Sequence, residues 1–180
     1  ESCEGAERVR LIVRDLKHFT RGDEESLERV NIQEVLESSI NVAWNEIRHR
    51  GQLVKAFQNV PEVLANKARM GQLFLNLLIN AAQALDFEHS QDHKIHVSTS
   101  LTDSGMVLVA IRDSGPGIDP AIRDRIFDPF FTTKPVGEGT GLGLSICHNI
   151  VTSMGGNITF NSRVQKGTEV WVELPAQGQT

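Results

Sequence analysis

Glycine occupies every second position in Gly137-Glu138-Gly139-Thr140-Gly141-Leu142-Gly143-Leu144, and an apolar run, LSICHNIV, follows at once. No other feature constrains this chain as tightly. Alternating glycines leave backbone N–H groups open to close approach. A helix beginning directly behind them adds its own unpaired amides and the positive end of its dipole, which together make a cradle for phosphate. A flexible linker is the other reading of such a run, but the apolar helical pattern over 142–154 sits badly with it. The run is not a P-loop, because the chain contains no Gly-Lys pair. Nor is it the dinucleotide fingerprint, because after Gly139 and Gly141 the third glycine, Gly143, comes one position early.

The chain has 180 residues, enough for one well-cored domain with or without a short extension. With 39% hydrophobic and 23% charged residues it reads as globular. A net charge of -5 without clustered Lys and Arg argues against a nucleic-acid partner. No apolar run nears the roughly 20 residues of a membrane span. The start ESCEGAERVR has no leader pattern and no initiating Met, so an excised, cytoplasmic fragment is expected, with any upstream membrane anchor left open. Cys3 and Cys147 are too few for a disulfide framework and read as reduced thiols, Cys147 packed in its apolar run.

Periodicity organises the rest. Val9, Ile12, Val13, Leu16 and Phe19 predict an amphipathic helix over 6–19 that stops near Gly22. A short strand, ERVNI, precedes a helix capped by Asn31 with Glu34 as its capping partner, running to about Arg50 and ending at Gly51. Residues 52–58 read as a strand ended by Pro61, and 66–86 as the longest helix. Strands over 94–102 and 106–113 flank a turn at Asp103, Ser104 and Gly105. Residues 114–140 read as loop with a short helix around 119–126. The helix over 142–154 ends at Gly155-Gly156, and strands over 157–162 and 168–174 turn through Gly167. Helices interleaved with antiparallel hairpins predict an α+β two-layer sandwich: one mixed, mainly antiparallel sheet with helices on one face.

Three more segments carry chemistry. On the 66–86 helix, Asn76, Asn80 and Gln83 share one stripe, opposite an apolar face of Met70, Leu73, Phe74, Leu77, Leu78, Ala81 and Leu85. An amide oxygen suits Mg²⁺, although such amides also simply face solvent or cap a loop. Asp113-Ser114-Gly115-Pro116-Gly117-Ile118 directly follows a strand. It reads as an ordinary turn, or as a carboxylate accepting from an exocyclic amine with glycines that bring the backbone close to a flat ligand. Phe127, Phe130 and Phe131 lie within five loop residues and are expected to anchor that loop, freeing Thr132, Thr133 and Lys134 to meet phosphate.

In this order, the four segments resemble the N, G1, F and G2 boxes of the GHKL ATP-binding superfamily, and within it those of bacterial sensor histidine kinases. Each box is weak alone, whereas the ordered set is specific and covers 23–180. The resemblance implies a Bergerat-type ATP-binding fold, with ATP and Mg²⁺ bound. It implies Asn80 on Mg²⁺, Asp113 at the adenine amine, Gly117 and Ile118 beside the base, and Gly139, Thr140, Gly141, Leu142, Gly143 and Leu144 at the phosphates. It further implies Thr168 holding adenine through water, Lys134 on phosphate in a catalytic role with Asn80, and a lid from about Asp119 to Gly141. Asn76, Gln83, Gly115, Phe130, Thr132 and Thr133 complete the expected nucleotide site.

Branches that hydrolyse ATP or phosphorylate serine carry a Glu four residues before the Mg²⁺ asparagine, as a general base. Here that position is Asn76, which takes up no proton, and a neutral imidazole needs less activation. The resemblance therefore implies transfer of the γ-phosphoryl group to a histidine, and onward to a response regulator. No histidine here has the acceptor's surroundings: His18 precedes Phe-Thr-Arg, and His49 lies in IRHRG. His89, His93 and His96 lie near a loop and a strand start, and His93-x-x-His96 lacks further ligands for a metal. His148 is expected on the surface of its helix. The acceptor is thus expected on an absent dimerisation module, of which 1–22 would be the C-terminal stub, in a homodimeric kinase. Two other readings stay open. One is a nucleotide-binding switch or interaction module without kinase activity; the other is a serine kinase or ATPase of the same superfamily.

Overall fold

The computed structural model describes residues 26–86, 91–135 and 139–176. The helix expected over 6–19, the proposed stub, Gly137 of the glycine run and His89 lie outside the described residues. Strand β1 (Glu28–Val30) leads into helix α1 (Ile32–Ile47), capped by Asn31 Oδ1, which accepts from the N–H groups of Gln33 at 3.0 Å and Glu34 at 3.3 Å. Its buried residues Ile32, Val35, Leu36, Ile40, Ala43 and Ile47 recur at helical spacing. The chain turns at Gly51, where a Cβ would stand 2.9 Å from the His93 carbonyl oxygen.

Next come β2 (Gln52–Phe57), β3 (Val63–Ala65) and helix α2 (Lys67–Gln83). The short β3 was not evident from sequence; it pairs antiparallel with β1 in a separate two-stranded sheet. Asn66 caps α2 by accepting from Arg69 N–H at 2.9 Å. Helix α2 stops at Gln83, not 86, because the last turn tightens: Leu85 N–H reaches the Ala82 carbonyl at 3.0 Å. Strands β4 (Lys94–Leu101) and β5 (Val107–Asp113) form the predicted hairpin, with Gly105 at φ 79°. A 3₁₀ helix (Pro120–Arg125), helix α3 (Gly143–Ser153), β6 (Asn157–Ser162) and β7 (Thr168–Leu174) complete the order.

The main sheet runs β2-β4-β5-β7-β6; β2 and β4 are parallel and every other pair is antiparallel. Period-two alternation sends Ile95, Val97, Val107, Val109, Val172 and Leu174 to one buried face, onto which the helices pack. Helix α2 lies between α1 and α3, and its Met70, Leu73, Phe74 and Leu78 are fully buried. Each such side chain contributes roughly 1.5–3 kcal/mol by leaving water. The result is the expected α+β sandwich with a mixed, mainly antiparallel sheet.

Candidate functional site

The register of the sheet builds the site's floor. Asp113 pairs with Thr168, and Thr168 with Ser162, so these three share one row across β5, β7 and β6. Two residues back along the pleat, Ile111 pairs with Val170, and Val170 with Phe160. Both rows face the helices, a polar row beside an apolar one. Above them opens a cavity of about 600 Å³, walled by α2, the 3₁₀ helix, the 127–134 loop and the start of α3. A cavity of this size suits a small organic ligand.

Most of the predicted residues meet there. Asn76, Asn80 and Gln83 of α2, Asp113, Gly117, Ile118 and Thr168 line the cavity. So do Thr132, Thr133, Lys134, Gly139, Thr140, Gly141, Gly143 and Leu144. Three predicted residues do not. Gly115 packs back against the end of α2, where a Cβ would stand 2.9 Å from the Ala84 carbonyl oxygen. Leu142 caps α3 with its side chain buried, and its N–H is taken by Thr140 Oγ1 at 3.3 Å. Phe130 is 64% exposed, holds φ 66° and is not among the residues lining the cavity, so it does not anchor its loop. Its backbone does shape the site: a Cβ on Gly141, itself at φ 69°, would stand 2.4 Å from the Phe130 carbonyl carbon. Only glycine allows that crossing. The other two rings turn inward: Phe127 packs 5.9 Å from Phe160 and 5.6 Å from the exposed His148, and the half-buried Phe131 lines the cavity.

Asp113 is the one carboxylate among the described residues lining the cavity. Its Oδ1 accepts from Gly115 N–H at 2.8 Å and Thr168 N–H at 3.3 Å. Burial pushes its pKa above the ordinary 3.8, and those two amides together with the Arg112 charge oppose the rise. Across from the sheet, Lys134 Nζ donates to Gln83 Oε1, linking the loop to α2. Asn76 Nδ2 donates to the Gly143 carbonyl at 3.5 Å, so it ties α2 to the start of α3. The Asn80 amide lines the cavity and makes no side-chain hydrogen bond among the described residues. A carboxamide facing this open cavity fits a hard cation that takes a neutral oxygen and completes its shell with phosphate and water.

Cys147 lies beneath, its thiol 3.7 Å from the Leu73 carbonyl; burial pushes its pKa up to about 12. His93 Nδ1 stands 3.2 Å from Ser114 Oγ, and no cluster of three metal-binding side chains occurs among the described residues.

Sequence reasoning missed Ser162. Its hydroxyl accepts from Ile118 N–H at 2.8 Å, and its carbonyl accepts from Arg123 Nη2 at 2.6 Å. It thereby holds the 113–118 turn and the 3₁₀ helix to the sheet. Hairpin symmetry about the 163–167 loop, which pairs Thr168 with Ser162, was the available signal. The apolar floor was equally readable by stepping two residues from Asp113 to Ile111.

The chain resembles known proteins in these same elements. It is 34% identical over 172 residues to the sensor histidine kinase ZraS of Escherichia coli K12, which covers 94% of this chain and 36% of that protein. It is 32% identical over 171 residues to the C4-dicarboxylate transport sensor protein DctB of Pseudomonas aeruginosa, covering 93% of this chain and 27% of that one. The chain thus spans about a third of the curated relatives it matches. Among solved structures, full-length ShkA in complex with AMPPNP superposes with a TM-score of 0.75 at 30% identity, over 91% of this chain and 35% of that one. Residues 65–178, which hold every segment that lines the cavity, match one further pattern, and by it this chain belongs to the family of histidine kinase-, DNA gyrase B- and HSP90-like ATPases.

Proposed function

We propose that the cavity binds Mg-ATP and that this domain donates the γ-phosphoryl group to a histidine on a dimerisation module of the same kinase. From there the group would pass to the receiver domain of a response regulator. One observation carries the choice of a histidine acceptor: among the described residues, the cavity holds no carboxylate besides Asp113, which sits in the sheet floor. At Asn76, where a general base would stand, the side chain instead ties α2 to the Gly143 carbonyl. A site without a base activates neither water nor a serine hydroxyl, whereas a neutral imidazole is already a nucleophile.

In this reading Asp113 and Thr168 hold the adenine, with Ile111, Val170 and Phe160 as the apolar bed beneath it. Gly117 and Ile118 flank the base. Gly139, Thr140, Gly141, Gly143 and Leu144 surround the phosphates, and Thr132, Thr133 and Lys134 approach from the loop. Asn80 would hold Mg²⁺, which when bound neutralises phosphate charge. The protein's contribution is positioning and electrostatic stabilisation. The relative ZraS is a sensor histidine kinase, and the structural neighbour ShkA was solved in complex with AMPPNP; both support this reading. The domain would work in the cytoplasm within a homodimeric kinase. No helix among the described residues is long and apolar enough to cross a membrane.

Calorimetric titration with a non-hydrolysable ATP analogue, with and without Mg²⁺, tests the reading. Saturable binding strengthened by Mg²⁺ in the wild type, with the Mg²⁺ effect lost in Asn80→Ala, is expected. An Asn80→Ala variant that keeps the full Mg²⁺ effect would remove Asn80 from the metal.

A further inference from the structure

Ser162 ends β6 and is 5% exposed. Its hydroxyl has three neighbours: Ile118 N–H at 2.8 Å, the Gly167 carbonyl at 3.2 Å and Thr168 Oγ1 at 2.9 Å. A hydroxyl offers one proton and two lone pairs. The Ile118 amide only donates and the Gly167 carbonyl only accepts. All three contacts are satisfied in one arrangement alone: Ser162 gives its proton to Gly167, and Thr168 gives its proton to Ser162. Thr168 then presents only lone pairs to the cavity it lines. Its row partner Asp113 has one oxygen engaged by two backbone amides and likewise offers the cavity an acceptor.

We propose that Ser162, which does not itself line the cavity, is a positioning residue that sets base specificity. By taking the Thr168 proton it makes the polar wall accept only. Such a wall takes the N–H groups of a base with an amine at position 6 and turns away one with a carbonyl there, whose lone pairs would face those of Asp113 and Thr168. The inference rests on the nucleotide reading above and adds to it the residue that fixes which base is taken.

The test is calorimetry on the wild type, Ser162→Ala and Thr168→Val, each titrated with a non-hydrolysable ATP analogue and with its inosine counterpart. The wild type is expected to prefer the adenine analogue. Ser162→Ala returns the Thr168 proton to the cavity, so the preference should fall on the order of tenfold. Thr168→Val keeps the Ser162 hydroxyl and a strand-compatible shape, and should weaken adenine binding. Adding Ser162→Ala to Thr168→Val should then leave the preference unchanged. If Ser162→Ala weakens both analogues by one factor and leaves their ratio intact, the serine is structural only and the specificity inference falls. If the wild type binds neither analogue, the nucleotide reading itself falls, and this inference with it.

Discussion

Asp113→Asn separates binding from folding at a single atom. The asparagine carbonyl oxygen can still accept from Gly115 N–H and Thr168 N–H, the bonds that span 2.8 and 3.3 Å in the wild type. The change falls on the other oxygen, which becomes an NH₂ group facing the cavity. An exocyclic amine would then meet a donor where it had an acceptor. A hydrogen bond to a charged group contributes about 1.5–3 kcal/mol, so affinity for an ATP analogue should fall about 10- to 150-fold. Stability should move the other way. Burial holds the carboxyl pKa above its ordinary 3.8, so the ionised form is disfavoured by folding. Between 3.8 and the folded pKa the native state binds more protons than the unfolded one, and stability therefore falls as pH rises through the folded pKa. The variant removes that loss. Its melting temperature relative to wild type should be level or higher at neutral pH, and this advantage should vanish as pH drops below 3.8. Paired calorimetric and thermal-melt measurements across that range check both halves. Unchanged affinity would refute the amine contact. A variant several degrees less stable at neutral pH would refute the claim that burial disfavours the charge.

Two glycines should respond to alanine with opposite signs. At Gly117, φ is 75° and a Cβ would stand 2.3 Å from the Arg163 carbonyl oxygen, so Gly117→Ala should cost at least about 2 kcal/mol and lower the melting temperature by about 4–8 °C. At Gly71, inside α2, a Cβ meets nothing within 4 Å, so Gly71→Ala should raise stability by about 0.5–1 kcal/mol in a denaturant melt. Cys147, fully buried with its pKa pushed up to about 12, should resist thiol reagents at pH 8 in the native state and react once the chain is unfolded. Mass spectrometry of its peptide reads the difference, and rapid native labelling would contradict the packing of α3 on α2.

Long periodic elements were legible because burial writes its period directly into the chain. The α2 face of Met70, Leu73, Phe74, Leu77 and Leu78 and the alternating β4–β5 hairpin lie where the pattern puts them. Three residues of β3 carry too little pattern to register, and their pairing with β1 is a tertiary contact. The parallel pairing of β2 with β4 is likewise a tertiary contact, made across the intervening β3 and α2 in sequence. In the site, the glycine segments and Asp113 stood out only as an ordered set, since each segment alone also reads as a turn or a linker. Ser162 did not, since a lone serine at a strand end looks like any turn residue until its row across the sheet is known. Phe130 misled for the opposite reason: its apolar character suggested burial, but it lies 64% exposed at a positive φ. Leu142 lay in the right loop, yet its amide was already spoken for by Thr140.

Phosphoryl transfer in trans tests the central claim most directly. The chain is incubated with Mg²⁺ and γ-labelled ATP beside a separately produced histidine-bearing dimerisation module from a related sensor kinase, with Asp113→Asn as control. The account predicts label on the module as acid-labile, base-stable phosphohistidine, reduced in the control, with little release of inorganic phosphate by the chain alone. Steady ATP hydrolysis by the isolated chain, or acid-stable phosphoserine on a partner, would contradict it.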